Sequence, residues 1–181
     1  GDGRIDRDNA AEYRVIYTGF GRSNVQGLMN SFQWGPNNRV YVAVSSSGGN
    51  LKCVARPGLP EVDLRGRDLA FNPKTFEFET IAGGAQHGMS FTKWGERLVC
   101  SNSDHLQWIA YDDAYAAQNP YLSAPPARLS IAADGPQAEV FRTSPVEPWR
   151  IVRTRLRVTG VIPGIVEGGG RAAGYFTSAT G

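Results

Sequence analysis

The chain has 181 residues, enough for one domain with its own core, and its 41% of hydrophobic residues exclude a disordered chain. Nineteen Lys and Arg stand against 17 Asp and Glu, a net charge of +2 that is too small to argue for nucleic acid. No apolar run reaches the about 18 residues of a membrane span, and 22 glycines with 11 prolines spread along the chain mean many turns between short strands.

The first segment, GDGRIDRD, sets Asp2 and Asp6 around glycines. Alternating oxygen ligands about a glycine make Asp2 and Asp6 candidate calcium ligands, although no closing Glu follows at the right spacing. A solvated turn is the competing reading. The segment starts without Met, so we read the chain as a fragment whose export signal could lie upstream.

EYRVIYTGF then alternates an apolar face at Tyr13, Val15 and Tyr17 and predicts a strand. RVYVAVSSS, FEFETIAGG, GMSFTKWG, RLVCSNS, LQWIAY, LSIAA and AEVFRTS follow in the same way. Each is short and closed by Gly, Pro, Asn, Asp or Ser. Two stretches read as helix, YDDAYAAQNP, stopped by Pro120, and Pro148 to Val158. The second carries Arg150, Arg153, Arg155 and Arg157, most simply a solvated face. Arg65, Arg67 and Asp68 in RGRD either pair with one another or face a ligand, and surface pairing is the default reading. Cys53 and Cys100 are either a disulfide or two buried thiols.

One repeat is visible. SFQWGPNNRVYVAVSS starts at Ser31 and SFTKWGERLVCSNS at Ser90, an offset of 58 to 60 residues that matches Phe32 to Phe91, Trp34 to Trp94 and Arg39 to Arg97. A strand–turn–strand unit recurring at a period somewhat above ~40–50 residues predicts propeller blades, one of them with an insertion. The expected fold is all-β: a partial β-propeller, two blades plus part of a third, cut from a larger ring. Residues 1–181 then form a single partial domain, with blade-like units at roughly 12–80 and 81–160 and a third starting at 168–181.

Three long stretches carry a family resemblance: TGFGRSNVQGLMNSFQWGPNNRVYVAVSSSGG, RGRDLAFNPKTFEFETIAGGAQHGMSFTKWGERLVCSNSDH and the segment from PPARLSIAADG to GYFTSATG. They resemble the propeller of large exported bacterial proteins named as membrane-bound dehydrogenases. That propeller in turn is similar to soluble glucose and sorbosone dehydrogenases. The resemblance implies a periplasmic or exported location, membrane association through other segments, and pyrroloquinoline quinone (PQQ) as cofactor. It also implies further blades and a cytochrome-type domain as partners within the parent chain. In such relatives a histidine in H-x-x-G-R-L-x-x-G-P is the base, and R-N-P-x-G-L-x-F holds the quinone. Here the histidine position falls at or near Gly27. Gly84, Ala85 and Gln86 stand where Arg, Asn and Pro are expected, while Gly88, Met89 and Phe91 fit.

Two functions follow. One is a section of an exported quinone-dependent oxidoreductase acting on sugars or polyols, with His87 the remaining catalytic candidate. The other is a non-catalytic ligand- or partner-binding propeller of the NHL kind. For either, the loops GRSNVQG, AGGAQHG and EGGGRAAG each enter a repeated strand and are expected at one mouth. Asn24, Gln26, Gln86, His87 and Arg171 would then converge on a polyol or carbonyl ligand. Ordinary solvated turns are the competing reading.

Overall fold

A computed structural model describes residues 13–102, 104–121, 123–133, 135–136 and 148–161. Among the described residues eleven strands fall in three antiparallel sheets, so the fold is all-β with little helix. The strands are β1 (Tyr17–Phe20), β2 (Asn30–Trp34), β3 (Val40–Ala43), β4 (Gly49–Cys53), β5 (Val62–Asp63) and β6 (Arg67–Phe71). Then come β7 (Phe78–Ala82), β8 (His87–Phe91), β9 (Arg97–Ser101), β10 (Asp104–Ile109) and β11 (Arg128–Ser130). The helices are α1 (Asp113–Ala116) and α2 (Pro148–Val158), both where the sequence places them.

The first four-stranded sheet runs β2-β3-β6-β7 and the second β8-β9-β10-β11. Both are meanders, apart from a 3-stranded sheet, β1-β4-β5, fed by the excursion between β3 and β6. Alternation along β3 decides the layering. Tyr41 and Ala43 point one way, into a core shared with Ile81, Met89, Val99 and Ile109 between the two larger sheets. Val42 points the other way, with Val44 beyond the strand, to meet Leu51, Leu64, Tyr17 and Phe20 of the small-sheet side. Cys53 and Cys100 are both buried and neither is in a disulfide, so the thiol reading holds.

The repeat is present, with a different register. Asn30 pairs with Ala43 in one hairpin and His87 with Cys100 in the other, a spacing of 57 residues, from 30 to 87 and from 43 to 100. Both inner strands shift register just after that first pair, at a residue with positive φ: Ser31 (54°) and Gly88 (63°). Both turns close alike, Gly35 N–H on Arg39 O at 2.8 Å and Thr92 N–H on Glu96 O at 2.9 Å. Each then has a positive φ at the same place, Asn38 (58°) and Gly95 (85°). Phe91 therefore stands where Trp34 does, and Trp94 where Asn37 does. The matching of Trp34 to Trp94 and of Arg39 to Arg97 slips by one to three residues, because the Trp-Gly pair opens one turn and closes the other. The paired strands of the two four-stranded sheets span 30–82 and 87–130, with β1, β4 and β5 in a sheet of their own.

Candidate functional site

The loops entering β2 and β8 lie at one end, while the third, EGGGRAAG, lies outside the described residues. Residues 25–27 form a single 3-10 turn before β2, and Asn24 caps it, its Oδ1 accepting from Gln26 N–H at 3.0 Å. The same loop is tied to the chain after β3. Asn24 N–H donates to Ser47 Oγ at 3.3 Å, and Ser47 N–H donates to Gly27 O at 3.3 Å. Two residues earlier, the fully buried Ser45 donates its hydroxyl to Gln86 O at 2.8 Å. The strip 45–47 thus joins both entry loops.

Asn30 adds a clasp between the sheets. Its Nδ2 donates to Gln86 O at 3.4 Å, and its Oδ1 accepts from Gly88 N–H at 3.1 Å. One side-chain amide therefore reads both backbone groups flanking His87, and the starts of β2 and β8 lie side by side. Asn24, Gln26, Gln86 and His87 are all at this end. Their side chains do not all face a ligand. Asn24 is spent on its cap, and Gln86 Oε1 accepts from Asn102 N–H at 3.4 Å. Gln26 is exposed and His87 half-buried. Arg171, Asp2 and Asp6 lie outside the described residues. Among the described residues no group of three His, Cys, Asp or Glu could hold a metal.

Behind the mouth sits a charge the sequence reading left on the surface. Asp68 is fully buried. Its Oδ1 accepts from Val44 N–H and Gly84 N–H, both at 3.1 Å, so it pins the ends of β3 and β7 to the start of β6. Burial pushes its carboxyl above the ordinary range, against the two backbone donors and the Arg97 and Arg128 charges. Arg97, 6% exposed, donates to Ala82 O, and burial lowers its own affinity for the proton. Asp68 is thus a structural carboxylate, not half of a surface pair. Its neighbour Arg67 does find a partner, Asp113 of α1. No alternation in β6 marks Asp68, since Asp68, Leu69 and Ala70 are all buried, and the arginines on either side of Gly66 suggest a charged surface turn.

A family model described as a domain of unknown function, DUF7133, matches residues 2–181. The chain belongs to that family. No curated protein and no solved structure matches the chain.

The mouth of this DUF7133 domain can be tested for fit to a quinone. Gly84 has φ +73°, and a Cβ there would lie 2.5 Å from the backbone carbon of Gly66. Ala85 is buried in the core and Gln86 is held on both its N–H and its carbonyl. The loop entering β8 is therefore consumed in packing. A cationic side chain at 84 has no room, and the residues present do not fit a quinone clamp. At Gly27 an added Cβ would collide with Ser46 Oγ, so a histidine there also requires rearrangement.

Proposed function

We propose that the DUF7133 domain is a pair of adjacent blades from a larger β-propeller, and that its mouth holds a ligand or partner without oxidising it. The loop at 83–86 carries this reading: it spends Gly84, Ala85 and Gln86 on Asp68, the core and Ser45, leaving no cation to meet a quinone oxygen. Support for the blades comes from the 57-residue spacing with its matched bulge and turn, and from the core between the two meanders. The groups offered at the mouth are Gln26 and His87, an amide and an imidazole able to bind a polyol hydroxyl or a carbonyl. By the family resemblance the parent is exported, and the further blades and a cytochrome-type domain are its partners.

The test uses the parent protein reconstituted with PQQ and a reducible dye. The expected result is no dye reduction that depends on both an aldose and this domain. Sugar-dependent reduction that disappears on His87→Ala, with the fold kept, overturns the reading in favour of an oxidoreductase.

A further inference from the structure

At the far end of the strands from the mouth, the two hairpin tips touch. A Cβ on Gly95 would lie 3.4 Å from Pro36 Cγ. Beside this contact opens a cleft of about 270 Å³. Aromatic residues line it at Tyr41, Phe91, Trp94 and Tyr111, and β10 borders it at Trp108. Tyr41 and Phe91 pack edge to face with centroids 5.0 Å apart, which fixes the inner wall. Trp94 is 76% exposed at the rim, and the Lys93 ammonium covers one face of its indole at 4.3 Å.

Three charged residues also line it, Glu96, Arg97 and Asp112. Arg97 lies against the Tyr41 ring, 5.7 Å from its centroid. Asp112 occupies the N-cap position of α1, yet its side chain makes no cap hydrogen bond, so the helix does not consume this carboxylate.

We propose that this cleft binds carbohydrate, one neutral sugar ring at a time. An apolar ligand would strand the Asp112 carboxylate against a dry surface, which is costly. An anion would face Glu96 and Asp112. A neutral sugar satisfies both halves of the lining. Its C–H face packs on the open face of Trp94, and its hydroxyls donate to Asp112 and accept from Arg97. The cleft is small for a ligand pocket, which favours a single ring over a chain. This site lies at the opposite end from the mouth and does not depend on the propeller reading.

The test is saturation-transfer NMR on the full chain with glucose, galactose and xylose. The expected result is millimolar binding of at least one sugar, with saturation concentrated on the ring protons of one face. Trp94→Ala should abolish the transfer, Trp94→Tyr should restore part of it, and Asp112→Asn should weaken binding about tenfold. Gln86→Ala, at the mouth, should leave it unchanged. Circular dichroism checks that each variant folds. Absence of transfer to all three sugars overturns the proposal. So does binding that survives Trp94→Ala, or that is lost in Gln86→Ala and kept in Asp112→Asn.

Discussion

Two glycines and one aspartate illustrate what single residues do here. Gly66 and Gly84 both have positive φ, 68° and 73°, but a Cβ on Gly66 meets nothing within 4 Å, whereas one on Gly84 runs into the Gly66 backbone. Gly66→Ala should therefore cost only the left-handed strain, about 1 kcal/mol, and Gly84→Ala about 3 kcal/mol, since the backbone must also move. Urea melts of the two variants check the order, and equal losses would remove the steric argument. Asp68 makes a pH prediction. Its folded carboxyl titrates above the ordinary range because burial disfavours the charge. The sign follows by linkage: its stabilising share is complete below the ordinary carboxylate range and is lost as pH rises through the raised folded value. Asp68→Asn should therefore lose ground against the native chain as the pH falls from about 7 to about 4. A stability difference that stays the same at both pH values contradicts this. Asp68→Ala, which orphans two buried N–H groups, should cost about 3 kcal/mol near pH 4 and less near pH 7.

Among the elements, the hairpins were the most legible in sequence. The strands β3, β7, β8, β9 and β10 all arise where runs of β-formers end in Gly, Pro, Asn or Ser. The β1 strand is shorter than EYRVIYTGF suggested, because only its last four residues pair with β4. The excursion holding β4 and β5 was not visible, since GNLKC and VD are too short and polar to stand out, and β6 hid behind its arginines. The mouth was legible as a place, but not in detail. Equivalence of the entry loops can be read from a repeat, whereas the choice of Asn24 to cap and of Asn30 to clasp is tertiary. The clasp has a measurable consequence. Asn30→Ala leaves Gly88 N–H without its acceptor, so that amide should exchange faster with solvent, at a stability cost of about 1–2 kcal/mol. An unchanged Gly88 exchange rate would mean that the Asn30 amide does not clasp the two sheets.

At the scale of the whole molecule, the repeat implies a surface that wants covering. In the first meander, Tyr41 on β3 pairs with Ala70 on β6, and both bury against the second meander. The same positions in the second meander are Leu98 on β9 and Trp108 on β10, and Trp108 pairs onward with Leu129 on β11. Here no described sheet covers them: Leu98 and Trp108 are half-buried and Leu129 is 41% exposed. Burial of apolar surface is worth about 25 cal/mol per Å², so a face of this kind draws chains together. The 181-residue chain on its own should therefore self-associate as its concentration rises, through this sheet face. Sedimentation velocity checks it with two lysines. Leu129→Lys, which places a charge on the open face, should shift the chain toward monomer. Val25→Lys, at a residue 82% exposed in the mouth loop, should leave association unchanged. If both lysines act alike, charge alone is responsible. If Leu129→Lys has no effect, the open face is not where copies meet, and the case for a further sheet stacking on it weakens.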